Sequence, residues 1–194
     1  MYRIIGNRRS RTTRVYWLLE ELGVAYERIS ARPHAQEVTR LNPSGKIPVL
    51  LCGEAAITDS TAIMTWLADR HGGLAFPCGS LERARQDSHT QFLLDEFDAC
   101  LWMAARHTAY LPEEHRVPAV VDSLKWEFAR SQERFAERLG EGPFLMGEKM
   151  TIADIIAAHC GRWAMSAGFP VEDVLKAYTE RLTAREAFAR ALRP

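Results

Sequence analysis

The segment Asn42-Pro43-Ser44-Gly45-Lys46-Ile47-Pro48-Val49-Leu50 is the most informative in the 194-residue sequence. It passes from turn-forming residues into an apolar run that is typical of a strand. Pro48 opens that run although it has no N–H to donate to a neighbouring strand, and an X-Pro bond is the only peptide bond that becomes cis at low cost. On these residues alone, Pro48 either shapes a turn or prepares an unusual backbone at the start of a strand.

The residues before this segment predict a strand, a helix and a second strand. Residues 2–5 and 26–30 are rich in the residue types of strands. Residues 12–22 have the apolar spacing of an amphipathic helix, and Gly23 is suited to end it in the left-handed conformation. The predicted order is therefore βαβ.

The residues after the segment predict a hairpin and a further helix. The apolar runs 47–51 and 55–57 are separated by only three residues, a spacing suited to a β-hairpin. Asp59 and Ser60 then precede an apolar helical pattern over 61–67, and their side chains are suited to cap it. This part of the chain adds ββα to the predicted order.

The second half of the chain has helical spacing throughout. Gly and Pro residues interrupt all periodicity between positions 72 and 80, and apolar residues recur every three or four positions from about Leu81 onward. We therefore predict a first domain over 1–72, a linker over 73–82 and an all-α domain over 83–194.

Composition and charge argue against several functional classes. The chain is 47% hydrophobic and 26% charged, the balance of a soluble globular protein. Its 25 basic and 25 acidic residues give zero formal charge, so nothing in the bulk electrostatics favours nucleic acid or an anionic membrane as a partner. No apolar run has the length of a signal peptide core or a membrane span, so we expect a cytoplasmic protein. The four cysteines are far apart and include no C-x-x-C, so neither a metal cluster nor a vicinal redox pair is expected.

Four motifs, in this order, resemble the glutathione transferase family. Residues 10–23 are similar to the first helix of that family, residues 42–50 to its N-P-x-G-x-[IV]-P-x-L signature, and residues 59–63 to its [EQD]-S-x-A-I signature. Thr151-x-x-Asp154, which has the spacing of a helix capping box, is similar to the capping box of its helical domain. By these motifs the chain is identified as a member of the family, of the bacterial cytosolic type.

The resemblance implies a fold and an assembly. The fold is a thioredoxin-like βαβ-ββα domain followed by an all-helical domain. Members are commonly homodimers whose third and fourth helices meet across a two-fold axis. Candidates for that surface, or for the core of the helical domain instead, are Phe92, Leu93, Phe97 and Leu101.

The resemblance also implies a glutathione site. In the family the bond before the signature proline, here Pro48, is cis, and the backbone of the next residue, Val49, pairs with the extended tripeptide as an added strand would. Lys46 would reach the glycyl carboxylate as a point charge, although it is equally consistent with a solvated loop lysine.

The predicted start of the helix after residue 58 would bind the γ-glutamyl end of glutathione. The Ser60 hydroxyl and the free N–H groups beside it suit a carboxylate, and Asp59 suits the ammonium group. An ordinary N-cap is also consistent with both residues. The implied glutathione-binding residues are Lys46, Ile47, Pro48, Val49, Asp59 and Ser60.

Catalysis in this family requires the glutathione thiol to be held as a thiolate near neutral pH. A hydroxyl donor, a helix N-terminus and nearby cations all stabilise a thiolate. Ser10 lies directly before the first predicted helix, with Arg8, Arg9, Arg11 and Arg14 close to it in the sequence. Ser10 is therefore the predicted catalytic hydroxyl.

The match to the family is incomplete at this position. Serine-type members commonly carry the activating serine a few residues earlier, where this chain has Asn7, and the loop contains neither a tyrosine nor a cysteine. Ser10 is also suited to be only the N-cap of the first helix. Asn7, Arg11 and Thr12 are the alternative donors.

The second substrate of the family is bound between the two domains, against the first long helices of the helical half. Apolar and polar side chains follow one another at helical spacings in that part of the sequence. The candidate electrophile pocket consists of Trp102, Arg106, His107 and Tyr110, with Met103 beside them. An aromatic stripe of this kind is also typical of a core or a subunit interface.

Three functions fit these residues. The first is a glutathione S-transferase with a role in detoxification, which adds the glutathione thiolate to a small hydrophobic electrophile, uses glutathione as co-substrate and needs no metal. The second is a non-catalytic binding or assembly module of the same fold. The third is a disulfide reductase. Enzymes that exchange disulfides normally attack with a cysteine at the start of the first helix, where this chain has Ser10, so glutathione itself would be the nucleophile. The intact motifs around Pro48 and Ser60 favour a protein that binds glutathione.

Overall fold

Four strands form one mixed sheet in the computed structural model, which describes residues 1–193. They are β1 (Tyr2–Gly6), β2 (Tyr26–Ser30), β3 (Val49–Cys52) and β4 (Ala55–Thr58). The sheet order is β2-β1-β3-β4, in which β1 runs parallel to β2 and β3 runs antiparallel to both of its neighbours. β3 begins at Val49 rather than at the predicted Ile47 because Pro48 has no N–H to donate to a neighbouring strand.

Three helices accompany the sheet in a first structural unit that includes Met1–Cys78. They are α1 (Thr12–Leu22), α2 (Gln36–Thr39) and α3 (Ser60–His71). α1 ends at Gly23, whose φ of 65° and ψ of 26° are the left-handed conformation that the sequence predicts. The observed order, β1-α1-β2-α2-β3-β4-α3, consists of the predicted βαβ and ββα with the short helix α2 between them.

The side chains of β1 and β3 alternate between two buried faces of the sheet. Ile5 and Val49 belong to a buried cluster with Val38 of α2. Ile4 and Leu50, the next residues along each strand, are buried as well, and alternation directs them to the opposite face. The central strands are therefore covered on both sides, which gives the loops at their ends a rigid support.

A second structural unit, Gly79–Thr183, is helical. Its helices are α4 (Leu81–Phe92), α5 (Ala99–Ala105), α6 (Val120–Leu139), α7 (Ile152–Ser166) and α8 (Asp173–Thr183), with π-helical segments at Leu93–Asp98 and Arg106–Tyr110 and a 3₁₀ turn at Glu113–His115. Among residues 1–193, no helix combines the length and the apolar character that crossing a bilayer requires.

Aromatic rings form the centre of the helical unit. The ring of Phe97 lies 4.8 Å from that of Phe128 and 5.7 Å from that of Phe135, measured between centroids. Leu93 and Leu101 are buried together with Phe97. The sequence did not decide whether four residues form the core of the helical domain or a subunit surface. Three of them, Leu93, Phe97 and Leu101, are buried in the core.

The last helix, α9 (Glu186–Ala191), belongs to the first unit rather than to the helical one. The Phe188 ring lies 4.7 Å from that of Trp17 in α1, and Arg185 forms a 2.6 Å ion pair with Glu21. The helical unit therefore ends before α9, whereas the predicted all-α domain extends to residue 194. Packing on α1 explains the difference, because so short a helix needs an apolar surface to be stable.

Asp154 forms the predicted capping box at the start of α7 and extends it. Its carboxylate accepts hydrogen bonds from the N–H and the hydroxyl of Thr151, at 2.6 and 3.0 Å. It also accepts one from the Leu145 N–H at 2.8 Å and one from the Tyr178 hydroxyl at 2.5 Å. Because Asp154 is fully buried, these donors replace the water that its carboxylate loses on folding.

We expect Asp154→Ala to lower the free energy of unfolding by about 3 kcal/mol or more, because it leaves several buried donors without an acceptor. Urea denaturation measures the change. Arg134→Ala, which removes an exposed ion pair with Glu137, is the control and should change stability by no more than about 0.5 kcal/mol. Equal stabilities for the two variants would contradict the structural role assigned to Asp154.

Candidate functional site

Strand register brings three separate loops to one end of the sheet. Ile5, near the end of β1, is aligned with Val49 at the start of β3. Val49 is in turn aligned with Thr58 at the end of β4. The residues after β1, the residues before β3 and the start of α3 therefore lie side by side. We call this the loop end of the sheet.

The loop before β3 is held by the side chain of Asn42. Its Oδ1 accepts hydrogen bonds from the N–H of Ser44 at 3.2 Å and from the Ser44 hydroxyl at 2.8 Å. Its Nδ2 donates to the carbonyl oxygen of Lys46 at 2.8 Å. One amide thus spans the whole turn, and the Asn-Pro-x-Gly pattern is the sequence signal that could have revealed this role.

The backbone then enters β3 through a cis Ile47–Pro48 bond. Pro48 and Val49 are buried, while Ile47 is half-buried. Lys46 is exposed, and its ammonium group makes no ion pair with any residue from 1 to 193. The loop end of the sheet therefore contains a rigid strand start with a free cation beside it.

Gly45 is the one position in this loop where only glycine fits. Its φ is 69°, and its carbonyl accepts a 2.7 Å hydrogen bond from the His34 N–H. A β-carbon at Gly45 would lie 2.1 Å from Nδ1 of the His34 ring, well inside contact distance. Both the backbone conformation and the close approach of His34 require the missing side chain.

Gly45→Ala should therefore be less stable than the matched variant Gly53→Ala. Gly53 also has a positive φ, of 60°, but nothing lies within 4 Å of the β-carbon that alanine would add there. We expect Gly53→Ala to cost about 1 kcal/mol from backbone strain alone and Gly45→Ala to cost clearly more. Thermal unfolding of the two variants measures the difference. A Gly45→Ala variant as stable as Gly53→Ala would show that the His34 contact is unimportant.

Asp59 precedes α3 in a strained backbone conformation. Its φ of 71° is uncommon for any residue other than glycine, and such strain is often found at functional sites. Its Oδ1 accepts hydrogen bonds from the N–H groups of Thr61 at 2.8 Å and Ala62 at 3.2 Å. The exposed carboxylate therefore caps α3 with Oδ1, and Oδ2 takes no part in that cap.

Ser60 is the first residue of α3 and is only 3% exposed. Within the described chain, its hydroxyl forms no hydrogen bond, and the Asp59 cap uses the N–H groups of the two following residues instead. The hydroxyl lies at the positive end of a three-turn helix. The start of α3 can therefore accept an anionic group.

Ser10 lies in the loop between β1 and α1, and its hydroxyl is already hydrogen-bonded. It donates to the Asn7 carbonyl oxygen at 2.8 Å, and it accepts from the Thr12 N–H at 3.2 Å. Arg11, not Ser10, occupies the position before the helix, and its side chain makes no capping bond. Ser10 is therefore not the N-cap that the sequence suggested. It lies one residue before the N-cap, and its hydroxyl still accepts a hydrogen bond from the first residue of α1.

Asn7 gives this loop the same kind of internal support that Asn42 gives the other. Its Oδ1 accepts from the Arg9 N–H at 3.0 Å, and its Nδ2 donates to the Ala31 carbonyl at 3.2 Å. The Asn7 side chain, like the Ser10 hydroxyl, is therefore engaged in the loop itself.

The arginines that neighbour Ser10 in the sequence lie in different surroundings. Arg8 donates to the Leu192 carbonyl beyond α9 at 2.6 Å. Arg14 is fully buried in α1, whereas Arg9 is exposed. Only part of the predicted cluster of cations therefore faces solvent at this loop.

Other groups that could activate a thiol are disfavoured by their surroundings. Tyr16 is buried inside α1, and burial raises the pKa of its hydroxyl. Cys100, in the helical unit, has a pKa raised to about 11 by burial and by the nearby carboxylates, chiefly Glu127. Residues 1–193 contain no group of three or more His, Cys, Asp or Glu side chains arranged to hold a metal ion.

The candidate electrophile residues lie at the end of α5 and in the π-helical segment that follows. Trp102 and Tyr110 are in ring contact, with centroids 5.5 Å apart. His107 accepts a 3.1 Å hydrogen bond from the Val117 N–H at Nδ1, and Arg106 lies 3.8 Å from the sulfur of Met103. The structure therefore joins the two aromatic residues but directs His107 towards the neighbouring loop.

Two families of known domains match the chain in sequence. Residues 10–70 match the family "Glutathione S-transferase, N-terminal domain", and residues 99–186 match "Glutathione S-transferase, C-terminal domain". The first match includes both the Pro48 loop and the start of α3.

Individual relatives are similar over different shares of their length. Glutathione S-transferase 2 of Anopheles gambiae is 29% identical over 153 residues, which are 77% of this chain and 71% of that protein. Elongation factor 1-gamma of Trypanosoma cruzi is 31% identical over 131 residues, which are 66% of this chain and 30% of that protein. The chain thus corresponds to less than a third of the elongation factor.

A solved structure supports the same relationship. The theta class glutathione S-transferase from Xanthomonas axonopodis pv. citri, crystallised with glutathione bound, has a TM-score of 0.79 and 25% identity. The comparison covers 100% of this chain and 97% of that one. The likeness therefore extends over both structural units.

Proposed function

The chain belongs to the glutathione S-transferase family, and on that premise we propose that it is an enzyme that adds the thiolate of glutathione to a small hydrophobic electrophile. One observation carries the proposal. The strand register aligns Ile5 with Val49 and Val49 with Thr58. As a result, the Ser10 loop, the Pro48 loop and the start of α3 lie next to one another at the loop end of the sheet. A scaffold without a ligand would have no need of the intact Ile47-Pro48-Val49 and Asp59-Ser60 residues in those loops.

Glutathione is an extended tripeptide with charged ends, and the loop end of the sheet has a complementary group for each part. The Ser60 hydroxyl and the backbone N–H at the start of α3 that the Asp59 cap does not use would bind the γ-glutamyl carboxylate. The second carboxylate oxygen of Asp59 would bind the ammonium group.

The Val49 backbone, which the sequence predicted to pair with the cysteinyl residue, is aligned with Ile5 on one side and Thr58 on the other, so it is not at a free edge. The backbone of Ile47, which precedes β3, would pair with the cysteinyl residue instead. The exposed Lys46 would reach the glycyl carboxylate.

This arrangement would bring the cysteinyl sulfur to the loop that contains Ser10. A hydroxyl that donates to sulfur stabilises the thiolate more than the thiol and so lowers the thiol pKa. The thiol proton leaves to solvent, and the sulfur electron pair forms a new bond to the electrophilic carbon. The electron pair displaced from that carbon goes to its leaving group or to the atom across its double bond. Orientation and thiolate stabilisation supply the catalysis.

The electrophile would be recognised by apolar surface. Trp102 and Tyr110, with ring centroids 5.5 Å apart, are the candidate wall, and Arg106 and His107 beside them would supply polar groups. We propose that the enzyme works as a cytoplasmic homodimer with a role in detoxification, the setting that its family membership favours.

A second candidate function is a non-catalytic binding or assembly module. The similarity to elongation factor 1-gamma favours it, as does the hydrogen bond that directs the Ser10 proton to Asn7. A disulfide reductase with glutathione as nucleophile would use the same thiolate and differ only in that sulfur, not carbon, is attacked.

Titration calorimetry with reduced glutathione, combined with the ultraviolet thiolate absorbance of the bound ligand between pH 5 and about pH 9, separates these functions. Binding with a lowered thiol pKa would support the transferase. Binding without a lowered pKa would favour the module, and absence of binding would refute a glutathione site of any kind.

Ser10→Ala should lower kcat about ten- to a hundredfold while glutathione affinity changes little, because the lost hydrogen bond acts on the charged sulfur. Turnover with a standard aryl halide electrophile and calorimetry give the two quantities. Ser123→Ala, an exposed serine of α6, is the matched control. Unchanged turnover in Ser10→Ala would show that Ser10 has no role in catalysis.

Ser60→Ala and Asp59→Asn should each raise the dissociation constant of glutathione about tenfold or more, because each loses a hydrogen bond to a charged group of the ligand. Asparagine caps helices as well as aspartate does, so Asp59→Asn should fold with nearly unchanged stability. Calorimetry and thermal unfolding distinguish the two effects. Full affinity in both variants would mean that glutathione binds in another register.

A further inference from the structure

A second hydroxyl lies directly behind Ser10. Oγ1 of Thr12, the first residue of α1, is 2.8 Å from the Ser10 Oγ. The same Ser10 oxygen accepts a hydrogen bond from the Thr12 N–H at 3.2 Å. Two donors of one residue therefore converge on the oxygen of the predicted catalytic hydroxyl.

The direction of this hydrogen bond follows from counting protons. A hydroxyl has one proton to donate. The Ser10 proton goes to the Asn7 carbonyl oxygen at 2.8 Å, which can only accept. The proton between Ser10 and Thr12 therefore comes from Thr12, and the chain of donors runs from Thr12 through Ser10 to Asn7.

Thr12 has little freedom to leave this position. It is fully buried, and it packs against the backbone of Gly6 at the end of β1. A β-carbon on Gly6 would lie only 2.2 Å from the Thr12 Oγ1. The absence of a side chain at Gly6 is what admits the Thr12 hydroxyl at this point.

We propose that Thr12 is a positioning residue for glutathione activation. This proposal rests on the proposed function. When glutathione binds, Ser10 turns its proton from the Asn7 carbonyl to the sulfur, while its oxygen keeps both hydrogen bonds from Thr12. A hydroxyl oxygen that accepts hydrogen bonds is a stronger donor, since chains of hydrogen bonds polarise one another. Thr12 thereby both orients Ser10 and lowers the pKa of the bound thiol.

Thr12→Val tests this role because valine has the shape of threonine without the hydroxyl. We expect a higher thiol pKa for bound glutathione and a kcat about two- to tenfold lower, with little change in the dissociation constant. Thr12→Ser, which keeps the hydroxyl, should restore both values. If Thr12→Val fails to fold, Thr12→Ala is measured against Thr12→Ser in the same way.

Thr13→Val is the matched control. Thr13 is buried in the same helical turn, and its hydroxyl donates to the Arg8 carbonyl at 2.8 Å rather than to Ser10. The Thr13→Val variant should have the same pKa for the thiol of bound glutathione as the wild type. A normal thiol pKa in Thr12→Val, or an equal shift in both valine variants, would overturn the role of Thr12.

The failure of this inference is distinct from the failure of the proposed function. A wild-type protein that binds glutathione without lowering its thiol pKa would refute the transferase proposal, and the Thr12 role with it. A wild-type protein that lowers the thiol pKa, together with a Thr12→Val variant that does the same, would refute the Thr12 role alone.

Discussion

The antiparallel pairing of β3 with both β1 and β4 is the constraint on which the candidate site depends. It aligns Val49 with Ile5 and with Thr58, so that three loops from distant parts of the sequence become neighbours. A slip of one residue would send every side chain of β3 to the opposite face. Val49 and Leu50 differ in shape and are both fully buried, so exchanging their faces would cost packing energy. The apolar core thus determines the position of a polar site.

Short polar side chains keep the loops of this site in place without a ligand. Asn7, Asn42 and Asp59 each bind backbone groups two to four residues away. Such bonds compete well with water because little chain entropy is lost in forming them. The loops are therefore largely arranged without a ligand, which would lower the entropic cost of binding glutathione there.

The last helix adds a longer-range connection to the same loops. Arg28 of β2 donates to the carbonyls of Arg190, Ala191 and Arg193, at 3.1, 3.2 and 2.6 Å, and Arg8 donates to Leu192. Cations are favourable at the C-terminal end of a helix, where the carbonyls lack partners. Because Arg8 belongs to the Ser10 loop, residues 190–193 and the candidate catalytic loop support each other.

Spacing along the chain was enough to predict the features that depend on near neighbours: the extent of α1 and its end at Gly23, the hairpin, and the capping box of Asp154. Motifs also predicted a glutathione site around Pro48 and Ser60, because the spacing of these motifs follows from local turns and caps. Contacts in three dimensions were needed to show that these motifs meet, that Tyr178 completes the Asp154 network, and that α9 packs on α1 rather than in the helical unit. The same contacts show that Ser10 donates its proton to the Asn7 carbonyl and that the Thr12 hydroxyl lies 2.8 Å from the Ser10 oxygen. The reason is physical: strand register, burial and the direction of a hydroxyl are set by contacts in space, which spacing along the chain does not specify.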